Sequence, residues 1–170
     1  MQKILVMDAK NYDTTLQEFR RTAVRGIIFI DGKLLLIQSN SGEVKLPGGG
    51  QECGENDFDT LIRKTLEETG YHVIPSSIRE FGEVEEKRLS TYELKIWHQV
   101  NRYYFCDVEQ EKEECRYSEN EKKRGFRQVC LPLDEAIECN WRVLCKEGVL
   151  PWNQREYQVL RLLKESLSTQ

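Results

Sequence analysis

The segment from residue 46 to residue 70, a glycine-rich loop followed by a short charged helix, most constrains the fold. Pro47 and the three glycines at residues 48–50 exclude a helix or a regular strand there, and they predict a loop with exposed backbone amides and carbonyls. A helix is expected from Asn56 or Asp57 to Thr69, capped by one of the first two residues and stopped by Gly70. Its core-facing side chains, at helical spacing, would be Phe58, Leu61, Ile62, Thr65 and Thr69.

The rest of the chain alternates apolar runs of strand length with helical patterns. Residues 22–38 hold two β-rich runs around Asp31 and Gly32, a dipeptide typical of a tight hairpin. The charged residues 109–124 predict an exposed loop, and Asp134 is expected to cap the helix that follows. Further strands are expected at residues 77–88, 94–108 and 124–133, and further helices at residues 131–141 and 153–167. The pattern favours one mixed α/β domain spanning residues 1–170.

Composition excludes several classes of protein. The 170 residues suit one domain, and the net charge of -4, from 29 acidic and 25 basic residues, does not favour nucleic-acid binding. No apolar stretch approaches the roughly 20 residues of a membrane span, and the polar N-terminal residues 8–13 exclude a signal peptide, so a cytoplasmic location is expected. Zinc is not favoured, because the six cysteines form no CxxC pair and the two histidines lie far apart; reduced cysteines are expected.

The spacing of charges across the loop and the helix is specific. Counting from Gly49, Glu55 follows after five residues, Arg63 after seven more, and Glu67, Glu68 and Gly70 at fixed short offsets. The stretch "GGQECGENDFDTLIRKTLEETGY", preceded by "LPGG", resembles the box of the Nudix (MutT-like) hydrolase family, Gly-x5-Glu-x7-Arg-Glu-U-x-Glu-Glu-x-Gly-U, where U is a bulky apolar residue. It covers about a seventh of the chain.

The resemblance implies a fold and an activity. The fold would be a Nudix-type α/β/α sandwich with a mixed β-sheet. The activity would be hydrolysis of a diphosphate linkage, in a nucleoside diphosphate linked to another group or in a nucleoside triphosphate, with Mg²⁺ or Mn²⁺. Hard carboxylate oxygens beside a glycine loop suit Mg²⁺, and metal-bound water is the stronger nucleophile. The implied metal ligands are Glu67, Glu68 and the carbonyl of Gly48.

Family resemblance also implies roles for the remaining positions of the box. Glu55 and Arg63 would tie the loop to the helix, whereas the local alternative is that Arg63 pairs with Asp59 or Glu67 four residues away. The glycines at positions 49 and 50 leave room for substrate phosphate.

Lys64 departs from the family pattern, because it stands where the box has a glutamate. A protonated lysine cannot ligate Mg²⁺. Two alternatives follow: a reduced metal site in which Lys64 contacts substrate phosphate as a point charge, or a regulatory domain that has kept the fold and binds a nucleotide or a partner without hydrolysis. Thr65, the next position, replaces a usually apolar residue.

A general base would then come from outside the box. The candidates we favour are Glu119 and Glu121, because the loop that carries them precedes a late strand and comparable loops of the family reach over the metals. The competing candidates are Glu109, Glu111, Glu113 and Glu114. Any one of these glutamates could also be no more than a solvated loop charge.

The rest of the sequence identifies neither the substrate nor the oligomeric state. Aromatic and basic side chains could stack a base or hold phosphate, but residues of these kinds in strands mostly pack. They are Trp97, His98, Tyr103, Tyr104, Arg79, Arg88 and Arg102. A small-molecule diphosphate or nucleotide is the expected partner, with neither a membrane nor a nucleic acid. A homodimer is open, since the N-terminal residues 1–12 suit a sheet extension, a swapped segment or an ordinary edge strand.

Overall fold

A computed structural model describes residues 1–146 and 151–169. The strands are β1 (Lys3–Asp8), β2 (Glu18–Ile27), β3 (Phe29–Ile30), β4 (Lys33–Gln38), β5 (Val44–Lys45), β6 (Gly48–Gly50), β7 (Tyr71–Val73), β8 (Arg79–Leu89), β9 (Ile96–Phe105), β10 (Val108–Lys112) and β11 (Arg127–Leu131). The helices are α1 (Asp57–Thr69), α2 (Glu119–Lys123), α3 (Leu133–Leu144) and α4 (Pro151–Ser168), with a 3-10 turn at Pro75–Ser77.

The strands form a mixed sheet with helices on both sides. The largest sheet has the order β1-β8-β9-β2-β6, in which β1 pairs with β8 and β2 with β9 in parallel, while the other pairs are antiparallel. A second sheet has the order β11-β4-β3, with β5 also paired to β4, and β10 pairs with β7. Helix α1 contacts β2, β6 and β7, whereas α3 and α4 pack together and contact β5. The predicted α/β/α sandwich with a mixed sheet is confirmed.

Two apolar clusters separate these layers. One lies under α3 and α4, and the other lies under α1. The first contains Ile27, Leu34, Leu36, Val44, Leu46, Val84, Tyr103, Ala136, Val159, Leu160 and Leu163. The second contains Val24, Ile28, Leu35, Leu61, Val73, Tyr104 and Cys106. Since β2 and β4 contribute to both clusters, they form the centre of the structure, and the glycine segment pairs with β2.

The local signals of the sequence hold in the structure. The hairpin between β3 and β4 turns through Asp31 (φ 50°) and Gly32 (φ 75°), as expected. Helix α1 begins after Asn56, whose side chain accepts the amides of Phe58 and Asp59 at 2.8 and 3.1 Å, and it ends at Gly70 with φ 74°. The N-terminal segment is an edge strand, because β1 pairs with β8 at one end of the large sheet.

Several expectations were wrong. The glycines form a short strand, β6, rather than a loop, because the edge of β2 offers unpaired backbone groups to them. Phe58 is 47% exposed, since its ring packs edge-on against Tyr104 at the margin of the sheet instead of entering the core. Asp134 does not cap α3, because the N-cap is Pro132, two residues earlier, and Asp134 already lies in the first turn. The segment expected as a loop contains β10 and α2, whose exposed polar residues give no apolar period.

Within residues 1–146 and 151–169, no helix combines the length and the apolar character needed to cross a membrane. All six cysteines are free thiols.

Candidate active site

A cleft opens where β6 and α1 meet the end of β2. Its glycine-side chamber, of about 420 Å³, is lined by Arg21, Arg25, Lys45, Gly48, Gly49, Gly50, Gln51, Glu52, Lys64, Glu68 and Glu121. The chamber therefore brings together the glycines, two residues of α1 and one glutamate from the late loop. Four of its side chains are cationic and three are acidic.

The predicted contact between Glu55 and Arg63 is confirmed. Nε and Nη2 of Arg63 both donate to the Glu55 carboxylate, and Nη2 also reaches the carbonyl of Gly50 at 3.3 Å. The bond from Arg63 is the largest influence on Glu55, and it holds the pKa of this carboxyl at about 2. Arg63 also lies 3.4 Å from Glu67, so the local alternative occurs as well. The pair fastens the segment after β6 to α1.

Glu67 is paired with cations of its own helix. Nζ of Lys64 lies 2.7 Å from Oε2 of Glu67, while Nη1 of Arg63 lies 3.4 Å from Oε1. The Lys64 side chain runs across Gly49, where an added Cβ would lie 3.1 Å from the lysine Cδ and Cε atoms. The glycine therefore leaves the space that the lysine stem fills.

Glu68 is buried and has two hydrogen-bond donors. Its side chain is 3% exposed; Oε1 accepts from Nζ of Lys45 at 2.8 Å and Oε2 accepts from the backbone amide of Gly48 at 2.9 Å. The Lys45 ammonium also lies 4.8 Å above the Phe126 ring, an arrangement that favours a cation. These contacts hold β5, β6 and α1 against one another.

Glu121 is the late-loop candidate that the structure brings to the cleft. It lies on α2, where it forms a reciprocal cap with Ser118, and it lines the chamber together with Lys64. Partial burial raises the pKa of Glu121, but the hydrogen bonds from Ser118 and the charges of Lys45 and Lys64 outweigh that effect and lower it overall. Glu119 instead pairs with Lys122, and Glu113 with His72 and Arg116. The remaining candidates are exposed and do not line the cleft; they are Glu109, Glu111 and Glu114.

A second part of the cleft, the aromatic chamber, continues from the first. It measures about 310 Å³ and is lined by Arg21, Arg25, Lys45, Glu86, Arg88, Trp97, Gln99, Ser118, Asn120, Glu121, Arg124, Phe126, Trp152 and Arg155. Six cationic side chains face two carboxylates there, although the whole chain carries a net charge of -4. The guanidinium groups of Arg21 and Arg88 lie 5.8 and 5.4 Å from the Trp97 ring centroid. A site of this composition suits an anion that carries a flat ring.

Comparison with known proteins identifies the family. The family model for the NUDIX domain, built on sequences, matches residues 19–152, which are most of the chain. This chain belongs to the Nudix family. A curated relative, the ADP-ribose pyrophosphatase of Methanocaldococcus jannaschii, is 42% identical over 67 residues, which are 37% of this chain and 38% of that protein. The match therefore spans less than two fifths of the length of the relative.

Solved structures show the same fold. A NUDIX hydrolase from Nitrosomonas europaea superposes with a TM-score of 0.55 at 17% identity, covering 83% of this chain and 90% of the other. A MutT NUDIX hydrolase from Burkholderia pseudomallei has a TM-score of 0.54 at 18% identity, and the match covers 82% of this chain and 97% of the other. A protein described as an ADP compounds hydrolase has a TM-score of 0.57 at 20% identity, and the match covers 88% of this chain and 74% of the other. The Nudix assignment drawn from the box is confirmed.

Nudix hydrolases generally use divalent metals, but the side chains of this Nudix domain do not fit a metal ion as they are arranged. Glu67 faces Lys64 and Arg63, Glu68 faces Lys45, and the Gly48 carbonyl lies 3.4 Å from Nη1 of Arg25. In the part of the chain that the structure describes, no three histidine, cysteine or acidic side chains form a group that could hold a metal. Each expected ligand thus has a cationic side chain as its neighbour, so the expected ligand set is not available to Mg²⁺.

Sequence reasoning missed Arg21, Arg25 and Lys45. The two arginines lie four residues apart in β2, so they share one face of the strand, and this even spacing was the signal that could have found them. Lys45 gave no such signal.

The other residues considered for recognition divide between the cleft and the fold. Trp97 and Arg88 line the aromatic chamber. Tyr103 is fully buried, and Arg79 lies 5.7 Å from the Phe105 ring centroid. Arg102 and Tyr104 both bond to Asp57 at the start of α1, and His98 lies between Glu18 and Glu85. These five side chains serve packing or ion pairing instead.

Proposed function

We propose that this Nudix domain binds a nucleoside diphosphate linked to another group, or a nucleoside triphosphate, and hydrolyses its diphosphate linkage. The observation that carries the proposal is the glycine-side chamber, where four cationic side chains surround the β6 backbone next to Glu121. The curated relative is an ADP-ribose pyrophosphatase and one structural neighbour an ADP compounds hydrolase. ADP-linked compounds are therefore the first substrates to test.

The chamber suits a diphosphate because both its shape and its charge favour phosphate oxygens. Gly49 and Gly50 have no side chains, so cationic side chains can lie against the backbone of β6 and face a phosphate in the chamber. Arg21 and Lys64 lie over these two glycines, with atoms close to the positions that a Cβ would take. Arginine bonds phosphate through two parallel donors, while lysine acts as a point charge. In this arrangement the cations neutralise the repulsion between the two phosphoryl groups.

Hydrolysis needs a water molecule, a proton acceptor and a stabilised leaving group. In the proposed reaction, water oxygen forms a bond to phosphorus while the bridging P–O bond breaks. The water proton passes to the Glu121 carboxylate, whose pKa is lowered from the ordinary glutamate value, so that it is ionised at neutral pH. The negative charge on the departing phosphate is stabilised by Lys45, Lys64 and Arg21. Glu55 and Arg63 position α1 without contacting the substrate.

A second candidate is a domain that binds the same class of compound without turnover. The observation that favours it is the pairing of both box glutamates with lysines, at 2.7 Å for Glu67 and 2.8 Å for Glu68. Mg²⁺ or Mn²⁺, predicted from the family, would have to displace these lysines. Binding alone needs only the cations and the glycines.

The decisive experiment assays a panel of ADP-linked compounds and nucleoside triphosphates for product, in Mg²⁺, in Mn²⁺ and in EDTA. Hydrolysis is expected to fall by about 10²–10⁴-fold in Glu121→Gln, the range for loss of a general base. Glu119→Gln, on the same helix but outside the cleft, is the matched control. Full activity of Glu121→Gln would show that Glu121 is not the general base. Tight binding of these compounds without product over hours would favour the second candidate.

The remaining assignments are also proposals. We propose a cytoplasmic protein with a small-molecule partner and no nucleic-acid or membrane partner. One domain spanning residues 1–170 and a homodimer stay predictions, which light scattering and limited proteolysis can test.

A further inference from the structure

We infer that Lys45 and Lys64 are the resident cations of a diphosphate site that works without a divalent metal. The inference rests on the proposed function only in taking a diphosphate as the ligand. It concerns the charge that neutralises the ligand, and it holds whether or not the ligand is hydrolysed.

Lys64 is built into the site. Its stem crosses Gly49 within van der Waals distance of a position that a Cβ would take, and its ammonium is 2.7 Å from Glu67. The side chain is only 23% exposed, so it does not extend freely into solvent. A lysine in place of a box glutamate changes the charge at this position from -1 to +1. Its ammonium therefore contributes a positive charge next to Glu67, where the family pattern predicts a metal.

Lys45, on strand β5, repeats this arrangement with Glu68. Its side chain is 12% exposed, its ammonium is 2.8 Å from the buried Glu68 carboxylate, and the Phe126 ring covers it at 4.8 Å. A divalent ion on Glu68 would lie beside the Lys45 ammonium, and two positive charges close together in a poorly solvated position repel each other strongly. The buried pair therefore resists replacement by a metal, because breaking it leaves a buried charge without a partner.

The local charge balance favours an anion. The three box carboxylates, at residues 55, 67 and 68, are matched by Lys45, Lys64 and Arg63, so this group is neutral. Arg21 then adds one positive charge at Gly50. Desolvation in the cleft lowers the pKa of Arg21, and the like charges of Arg25 and Arg155 add to that effect. A diphosphate relieves this repulsion, whereas a second metal charge increases it.

The lysines can serve the ligand without leaving their glutamates. Each ammonium has three donors, and the glutamate takes one of them. The remaining donors are available to phosphate oxygens in the chamber. Glu67 and Glu68 therefore act as positioning residues, which hold the two ammonium groups at a fixed separation.

Two measurements on the full chain test the inference without turnover. The first is calorimetric titration with inorganic pyrophosphate in EDTA, in which the native protein is expected to bind. Lys64→Met and Lys45→Met are each expected to weaken this binding about 10- to 100-fold, the effect of one charge-assisted hydrogen bond. Lys122→Met is the matched control, since Lys122 also pairs with a glutamate three residues away, 2.9 Å distant, but does not line the cleft. Its affinity should stay unchanged.

The second measurement is Mn²⁺ binding, followed by the paramagnetic resonance signal of the free ion without pyrophosphate. The native chain is expected to bind no Mn²⁺ at the box in the micromolar range, whereas Lys64→Glu should gain at least tenfold in affinity because a third carboxylate replaces the cation. Micromolar Mn²⁺ binding by the native chain that Glu68→Gln abolishes, or failure to bind pyrophosphate in EDTA, would overturn the inference.

Folding and turnover are separated from this result. Thermal unfolding shows whether each variant is folded. If Lys45→Met does not fold, pyrophosphate binding by the native chain and by Lys64→Met still tests the inference. Absence of hydrolysis with intact pyrophosphate binding contradicts the proposed hydrolase alone. Pyrophosphate binding that requires metal contradicts the two-lysine site alone.

Discussion

Lys45 and Glu68 form a nearly buried ion pair that joins strand β5 to helix α1, with Nζ 2.8 Å from Oε1. The second carboxylate oxygen accepts the amide of Gly48, so one side chain holds three elements together. Because a buried carboxylate needs such partners, Glu68 contributes to the fold of this Nudix domain as well as to its cleft.

Glu68→Gln is expected to destabilise the protein by roughly 2–4 kcal/mol, because Lys45 would be left as a buried charge without its partner. Glu67→Gln should change the free energy of unfolding by less than about 1 kcal/mol, since the Glu67 side chain is 31% exposed. Urea denaturation of both variants measures the difference. Equal effects of the two substitutions would contradict a structural role for Glu68.

Gly48→Ala and Gly50→Ala should differ sharply in their effect on stability, although the two glycines lie only two residues apart in β6. At Gly48 a Cβ would lie 2.1 Å from the Val24 carbonyl oxygen, with φ at 141°, so the backbone itself must move. At Gly50 the nearest atom is Nη2 of Arg21, at 2.3 Å, and this flexible side chain can turn away.

We expect Gly48→Ala to cost at least about 2 kcal/mol or to prevent folding. We expect Gly50→Ala to fold normally but to bind pyrophosphate more weakly, because Arg21 is displaced. Thermal unfolding and calorimetry on both variants test the pair. A stable Gly48→Ala protein would show that the β2–β6 contact is looser than described.

The Glu55–Arg63 pair should make stability depend on acid pH. The pKa of Glu55 is lowered from 4.5 to about 2 in the folded protein, so its contribution is fully present above pH 4.5 and is lost as the pH falls toward 2. The stability difference between the native chain and Glu55→Gln should be constant above about pH 5 and shrink below it. Denaturant titrations at several pH values measure this.

Glu52→Gln serves as the control for this pH dependence. Glu52 also lies near Arg63, at 3.4 Å, but its side chain is 69% exposed. Its substitution should leave the acid profile of the native chain unchanged, and a similar shift in both variants would assign the effect to general surface charge.

Arg155 should be among the most sensitive positions of α4. It is 3% exposed and lies 2.8 Å from Glu86 and 3.2 Å from Glu156, which in turn accepts the amide of Leu46 at 3.0 Å. Arg155→Met should cost roughly 3–5 kcal/mol, because it leaves two buried carboxylates with one cation fewer. Arg161→Met, where the ion pair is exposed and 3.9 Å long, should cost less than about 1 kcal/mol. Chemical denaturation compares them.

The sequence by itself determined the parts of this protein that depend on neighbouring residues. The Asp31–Gly32 hairpin, the Asn56 and Gly70 caps of α1 and the spacing of the box are local, since caps and turns involve residues within about four positions. The box also predicted the contact between Glu55 and Arg63, although that contact closes a loop.

Only the tertiary structure decided what surrounds the box glutamates. Lys45 lies 23 residues before Glu68, and Arg21 meets Gly50 through the pairing of β2 with β6. No periodic signal links such positions, because strand pairing brings together residues of any separation. In the same way, the fold brings Glu121 into the cleft and leaves the other late glutamates outside it. The type of each side chain could be read from the sequence, but its charged neighbours depend on how the strands pair.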